Sequence, residues 1–208
     1  MCGIVGYVGE KQAVNFLIDG LTKLEYRGYD SAGIAIFDGE KINVAKSVGR
    51  LAALKEKIKN HIPEGVIGIG HTRWATHGRP SDVNSHPHTD CSGKFAVVHN
   101  GIIENFMSLK EELMAKGHKF VSETDTEVVA HLLEDVYKGD FLQAVNEVLN
   151  KIEGSYSLAF MCQDHPDTLI CTKKDNPLVI GLGEGENFIA SDIPAIIAYT
   201  RRTYIMND

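Results

Sequence analysis

Short apolar runs bounded by turn residues are the feature that most constrains how this chain can fold. Runs with the length and composition of strands occupy 3–9, 32–37, 42–48, 66–71, 95–99, 155–162, 168–173, 178–182 and 187–190. Asp38-Gly39 stands between the second and third runs, where it predicts a tight hairpin. A further strand is predicted in the last nine or so residues.

Helical patterns come in blocks between these runs. Apolar residues at helical spacing predict helices over 11–26, 50–60, 104–116 and 140–151. Thr124 and Glu127 have capping-box spacing and predict the start of another helix. Hairpin-linked strands with helices inserted in blocks are typical of an α+β fold, with antiparallel sheets and helices packed on their faces. The 208 residues contain no Pro/Gly/Ser-rich linker and are predicted to form one domain over 1–208.

Composition excludes several classes of function. The net charge is −7, which argues against nucleic acid as the main ligand because phosphate neutralisation needs a basic surface. No apolar run approaches the ~20 residues of a membrane-spanning helix. The four cysteines include no C-x-x-C pair, and a chain of this length buries a core without disulfides, so a reducing, cytoplasmic setting is predicted.

Cys2 follows the initiator Met, and its side chain is small enough for that Met to be removed. Removal would leave a free α-amine, whose ordinary pKa near ~7.7–8.0 suits a general base close to the thiol. Gly3 would leave room for a substrate to approach. The alternative is a small apolar residue that opens a buried strand.

Three further segments carry side chains suited to substrate recognition. HTRWATHG at 71–78 contains Arg73, which can grip a carboxylate with two hydrogen bonds, or which pairs with an acid on the surface. HNGII at 99–103 offers an Asn100 amide and a Gly101 N–H for an oxyanion hole, or a simple Asn-Gly turn. SETDTE at 122–127 places Asp125 at a predicted helix start, where it either receives an ammonium group or only caps the helix.

One group of residues raises the question of zinc. His77, His86, His88 and Cys91 lie close together in sequence, but their spacing matches no structural zinc pattern, and Pro87 favours a rigid turn. No metal and no cofactor are predicted.

Eight segments in order resemble the glutaminase domain of the glutamine–fructose-6-phosphate aminotransferases, which are class II glutamine amidotransferases and N-terminal nucleophile hydrolases. They are CGIVG at 2–6, LEYRGYDSAG at 24–33, HTRWATHG at 71–78, NSHPH at 84–88, VHNGIIEN at 98–105, SETDTEV at 122–128, NPLVIGLG at 176–183 and ENFIASD at 186–192. The resemblance covers essentially the whole chain. It implies a four-layer αββα sandwich, with two antiparallel sheets between helical layers.

The resemblance also implies roles for individual residues. Cys2 is the expected nucleophile, with its own amine as base, and Asn100 and Gly101 form the expected oxyanion hole. Arg73 is expected to hold the α-carboxylate of glutamine, and Asp125 its α-ammonium group. The expected lining and supporting residues are Trp74, Thr76, His77, Arg27 and His86.

The expected activity is hydrolysis of L-glutamine to glutamate and ammonia. In the family, covalently linked sugar-isomerase domains pass the ammonia to fructose 6-phosphate, and the full-length protein is expected to be a homo-oligomer. Nothing in these 208 residues resembles those isomerase domains, so the chain is expected to be a domain or a fragment. Two alternatives remain: the glutaminase domain of another class II amidotransferase, and a non-catalytic binding domain.

Overall fold

The computed structural model describes residues 2–208, which form eleven strands and five helices. The strands are β1 (Gly3–Val8), β2 (Ser31–Phe37), β3 (Ile42–Val48), β4 (Ile67–Arg73), β5 (His88–Thr89), β6 (Phe95–Ile103), β7 (Gly154–Cys162), β8 (Leu169–Lys174), β9 (Val179–Leu182), β10 (Asn187–Ala190) and β11 (Thr203–Ile205). The helices are α1 (Ala13–Leu24), α2 (Leu51–Ile58), α3 (Phe106–Ala115), α4 (Glu127–Val136) and α5 (Phe141–Leu149). No helix within the described residues is long and apolar enough to cross a membrane.

The strands build two antiparallel sheets. One has seven strands in the order β11-β9-β10-β1-β4-β2-β3, and the other has four in the order β5-β6-β7-β8. The predicted hairpin at Asp38-Gly39 joins β2 to β3, and Gly39 has the positive φ of 103° that such a turn requires.

The two sheets pack face to face between two layers of helices, and alternate side chains of each strand point to opposite sides. Along β6, Phe95 and Val97 face a core shared with α3, α4 and α5, whereas Ala96 and Val98 face the other sheet. On the seven-stranded sheet, alternate residues pack against α1 and α2. The result is the four-layer αββα arrangement, because each strand presents one face to helices and one to the opposing sheet.

Two local predictions were wrong. The strand predicted to end at residue 99 continues to Ile103, so Asn100 and Gly101 lie inside β6 and pair with β7. The capping box also fails, because α4 begins at Glu127 and Thr126 is its N-cap residue. The Glu127 carboxylate instead accepts the backbone N–H groups of Val121 and Ser122 at 2.8 and 2.7 Å, and so anchors the segment that precedes the helix.

Candidate active site

The site lies where β1 begins, β4 ends and β6 crosses from the opposing sheet. The pairing of Gly3 with Thr72 brings Cys2 beside Arg73 and Trp74. A cavity of about 300 Å³ opens there. The predicted site residues that line it are Cys2, Arg27, Arg73, Trp74, Thr76, His86, Asn100, Gly101 and Asp125.

The Cys2 thiol is half-buried at the cavity wall. Its Sγ accepts a hydrogen bond from the Trp74 backbone N–H at 3.1 Å. Burial raises the pKa of the Cys2 thiol above its usual value, and the Trp74 N–H acts in the opposite direction. A thiol in this state needs a base before it can attack a carbonyl. The expected removal of Met1 lies outside the described residues.

Two side chains fix the backbone of Cys2. Its carbonyl oxygen accepts hydrogen bonds from Arg27 Nε and from Asn100 Nδ2, both at 3.1 Å. Arg27 is itself held by Asp192, whose Oδ2 lies 3.0 Å from the Arg27 guanidinium. Arg27 therefore contacts Cys2 directly, as its predicted orienting role requires.

Gly3 packs tightly and does not leave room for a substrate. A Cβ at this position would lie 2.7 Å from Thr72 Oγ1 and 2.8 Å from Leu24 Cβ. Glycine is needed because β1 passes close to α1 and β4, so the predicted reason for Gly3 was wrong.

A buried histidine orients the Asn100 amide. His71 Nε2 faces two oxygens, the His99 carbonyl at 2.9 Å and Asn100 Oδ1 at 3.0 Å, and therefore carries the proton. Burial lowers the pKa of His71 to about 3, so the ring is neutral at pH 7. The bond to Oδ1 points the Asn100 amide nitrogen towards Cys2.

His86 supports this arrangement from behind. Its ring stacks on His71, with centroids 4.2 Å apart, and its Nδ1 accepts the His99 backbone N–H at 3.3 Å. Burial also holds the pKa of His86 well below its usual value. Neutral histidines thus fill the space beneath the cavity.

Arg73 and Asp125 bring opposite charges to the cavity. Arg73 Nη2 donates to the carbonyls of His77 and Gly78, whereas Nη1 is buried with no hydrogen-bond partner among residues 2–208. Asp125 Oδ2 accepts the Ile103 backbone N–H at 2.8 Å. Asp125 lies two residues before α4, outside its first turn, so β6 positions it and not the helix dipole.

Of the three remaining predicted residues, Trp74 and Thr76 line the cavity and His77 does not. Trp74 and Thr76 form an exposed rim, and Trp74 packs edge-on against Tyr29. His77 is not among the lining residues; its ring packs against Phe106, and its Nδ1 lies 3.9 Å from Asp125 Oδ1.

Several lining residues were missed by the sequence analysis. They are His99, Ile102, Thr126, Ser155, Asn176 and Pro177. His99 could have been found, because an imidazole in an otherwise apolar buried strand indicates a specific role. Asn176 and Pro177 open the family-like segment NPLVIGLG, but nothing local predicted their place at the cavity, which depends on the packing of β7 against the segment before β9.

The zinc combination considered from sequence is not assembled. His86 and His88 lie ring to ring at 4.7 Å, but the Cys91 thiol lies next to His131, with Sγ 3.6 Å from Nδ1. Within residues 2–208, no group with metal-binding geometry contains His77, His86 or His88.

Comparisons with known proteins find relatives along the whole chain. Residues 71–198 match the model of a family described as a glutamine amidotransferase domain. Over all 208 residues, the chain is 60% identical to the glutamine–fructose-6-phosphate aminotransferase (isomerizing) of Caldanaerobacter subterraneus and 54% identical to that of Thermus thermophilus. It spans only about a third of the length of these relatives, 34% in each case.

Solved structures give the same fold. The whole chain superposes on 47% of a Bacillus subtilis glutamine phosphoribosylpyrophosphate amidotransferase with a TM-score of 0.83 and 29% identity. A class II glutamine aminotransferase domain protein from Silicibacter pomeroyi, at 16% identity and a TM-score of 0.62, shares the fold over 91% of this chain. These likenesses show the fold, and the family model, which matches more than half of the chain, shows that the chain belongs to the glutamine amidotransferase domain family.

Proposed function

We propose that this chain hydrolyses the side-chain amide of L-glutamine, with Cys2 as nucleophile. The observation that carries the proposal is a single cavity holding a thiol, an oriented amide donor and two opposite charges. Arg73 and Asp125 match the α-carboxylate and α-ammonium groups of an amino acid, and the unpartnered Nη1 of Arg73 is a donor suited to a carboxylate. The cavity of about 300 Å³ suits a small ligand of this size.

The proposed reaction begins when Cys2 Sγ attacks the amide carbon. The thiol proton passes to the α-amine of Cys2, and an S–C bond forms. Asn100 Nδ2 carries two protons, of which one bonds the Cys2 carbonyl, so the second is free for the developing oxyanion beside the Gly101 N–H.

Collapse of this intermediate breaks the C–N bond. The α-ammonium group returns its proton to the leaving nitrogen, which departs as ammonia. Water then attacks the γ-glutamyl thioester and releases glutamate and the thiol. The mechanism needs no metal or cofactor at Cys2.

Release of glutamate from glutamine by the purified chain is the direct test. Cys2→Ala should abolish turnover, whereas Cys171→Ser should retain it, because Cys171 lies on β8 away from the cavity. Intact mass establishes whether Met1 is removed. Glutamine binding without glutamate release would support a non-catalytic binding domain instead.

An uncleavable N-terminal extension tests the base. It converts the α-amine of Cys2 into an amide and leaves the thiol in place. General-base assistance is worth about 10²–10⁴-fold, so we expect at least a hundredfold loss with little change in circular dichroism or melting temperature. Full activity in a chain shown by mass to retain Met1 would contradict the mechanism.

We further propose that residues 1–208 are one glutaminase domain of a longer cytoplasmic, homo-oligomeric protein, whose sugar-isomerase domains use the ammonia to convert fructose 6-phosphate to glucosamine 6-phosphate. The names of the relatives, which are fructose-6-phosphate aminotransferases, and their roughly threefold greater length support the division into domains. The 208-residue chain alone should then release ammonia without aminating the sugar. Sugar-dependent formation of glucosamine 6-phosphate by this chain would refute the division, and a different acceptor domain in the longer protein would favour another amidotransferase.

A further inference from the structure

Four side chains with metal-binding atoms converge away from the catalytic cavity. Cys91 lies in the turn between β5 and β6, His118 follows α3, and His131 and Glu134 are three residues apart on α4. One ligand atom from each lies within 4.8 Å of the others. None of the four lines the cavity that holds Cys2.

The separations approach those of a tetrahedral metal site. Zinc bonds of about 2.3 Å to sulfur and 2.0–2.1 Å to nitrogen or oxygen place neighbouring ligand atoms about 3.2–3.7 Å apart. Cys91 Sγ lies 3.6 Å from His131 Nδ1, and Glu134 Oε2 lies 3.3 Å from that nitrogen. His118 Nδ1 is 2.8 Å from Glu134 Oε2, and no two of the four ligand atoms are more than 4.8 Å apart, so shifts of up to about 1 Å would bring all of them to the distances of a zinc ion.

The chemistry of the donor set favours zinc among divalent ions. Cys91 and Glu134 each contribute a negative charge when deprotonated, and two neutral imidazoles complete a neutral complex with a divalent cation. A thiolate with two imidazoles and one carboxylate matches the ligand preference of Zn²⁺ and not that of the hard ions Mg²⁺ and Ca²⁺.

A second layer of contacts orients these ligands. Cys91 Sγ accepts the Lys119 backbone N–H at 3.3 Å. The other nitrogen of His131, Nε2, faces the Glu127 carboxylate at 3.5 Å, and His118 Nε2 faces the Asp135 carboxylate at 3.9 Å. A histidine whose second nitrogen faces a carboxylate is the usual outer arrangement of zinc ligands.

We propose that Cys91, His118, His131 and Glu134 bind one zinc ion that has a structural role. Four protein ligands fill the tetrahedron and leave no position open for a substrate, as in structural sites. The exposed Cys91 side gives the ion access from solvent. The ion would join the β5–β6 turn, the loop after α3 and the middle of α4, which are otherwise connected here by hydrogen bonds to Glu134.

Zinc titration of the chelator-treated chain provides the test, read by metal analysis and melting temperature. We expect one zinc per chain and a rise in melting temperature of about 5–10 °C at saturation. Cys91→Ala should lose both effects. Cys171→Ser and His61→Gln are the matched controls, since neither residue belongs to the cluster, and both should behave as the unmodified chain.

Two further measurements separate this site from the catalytic thiol. Cys2→Ala abolishes the proposed nucleophile but should still bind one zinc, so the two proposals fail independently. Cobalt substitution should give a thiolate-to-metal charge-transfer band that Cys91→Ala removes. Zinc binding and melting temperature that are the same in the unmodified chain and in Cys91→Ala would overturn the proposal, as would a zinc stoichiometry that depends on Cys2 alone.

Discussion

Arg73 binds its own loop through one terminal nitrogen, and the other terminal nitrogen has no hydrogen-bond partner in the described part of the chain. A buried guanidinium N–H without an acceptor is costly, and a ligand carboxylate would satisfy it. Asn100 likewise has a donor without an acceptor. The proton on His71 Nε2 fixes the orientation of its amide, and one of the two Nδ2 protons remains free after the other bonds the Cys2 carbonyl. The site therefore presents two unsatisfied hydrogen-bond donors, one from Arg73 and one from Asn100, to a bound ligand.

Arg73→Ala should weaken the use of glutamine by one to two orders of magnitude. Loss of a charge-assisted hydrogen bond costs about 1.5–3 kcal/mol, which corresponds to that range. Steady-state glutaminase kinetics provide the measurement. Arg73→Lys keeps the charge but loses the fork, and should recover only part of kcat/KM.

Arg201→Ala is the matched control, because Arg201 is exposed and does not line the cavity. It should leave kcat/KM unchanged. A change of less than about twofold in Arg73→Ala would mean that Arg73 does not contact the substrate.

Two short segments between the main helices and strands position the backbone of the nucleophile Cys2. A 3-10 turn over Glu25–Arg27 follows α1 and carries the guanidinium that bonds the Cys2 carbonyl. Asp192, just after β10, bonds both that guanidinium and the Tyr26 hydroxyl. Hydrogen bonds through Arg27 thereby link Cys2, at the start of β1, to Asp192.

Asp192→Asn should lower kcat about tenfold, with little change in KM. The substitution removes the negative charge beside Arg27 but keeps an oxygen that can cap Ile193, so the loop itself should persist. Tyr26→Phe keeps that negative charge and removes the hydroxyl, which bonds Asp192 at 2.6 Å, and should have a smaller effect. Equal losses in the two variants would argue against a role for the charge.

Gly101→Ala should destabilise the protein far more than Gly93→Ala. Both glycines have positive φ, 121° and 74°, but a Cβ at Gly101 would lie 2.1 Å from the Ser155 carbonyl oxygen, whereas Gly93 has open space. We expect a loss of about 1–2 kcal/mol for Gly93→Ala from backbone strain and at least about 3 kcal/mol for Gly101→Ala. Urea unfolding measures both, and similar losses would contradict the close approach of β6 to β7.

Four neutral histidines lie buried where the two sheets meet. Burial lowers the pKa values of His71, His86, His88 and His99 below the ordinary value near 6.5. Below pH 6.5 the unfolded chain therefore binds more protons than the folded one. The free energy of unfolding is highest above pH 6.5 and declines as the pH falls. The decline is about 1.4 kcal/mol per pH unit for each of His71, His86 and His88, whose pKa values lie well below 6.5.

The free energy of unfolding should accordingly fall by about 4 kcal/mol between pH 7.5 and pH 5.5. Urea unfolding at several pH values provides the measurement. His88→Gln should reduce this fall by about a third. Arg73 and Glu127 also face His88 and keep their charges in this interval, and Lys46, whose pKa is lowered by burial to about 8, is mostly protonated throughout it. Exposed His61→Gln is the control and should leave the profile unchanged. A flat profile would mean that these histidines are not buried in the folded protein.

Local sequence determined the elements themselves. Apolar runs bounded by turn residues identified most of the strands, helical spacing of apolar residues identified the helices, and the Asp38-Gly39 pair identified the hairpin, because such signals depend on neighbours a few residues away. The ordered motifs also brought Cys2, Arg73 and Asp125 together as one expected site. All three line the same cavity.

Tertiary structure decided what each polar side chain contacts. Glu127 does not form the predicted capping box, because its carboxylate accepts two N–H groups from the segment that precedes α4. β6 extends beyond Asn100 because β7 pairs with it as far as Ile103. His131 meets Cys91 only because α4 packs beside the turn between β5 and β6. Contacts between distant residues depend on how sheets and helices stack, and local periodicity contains no information about that stacking.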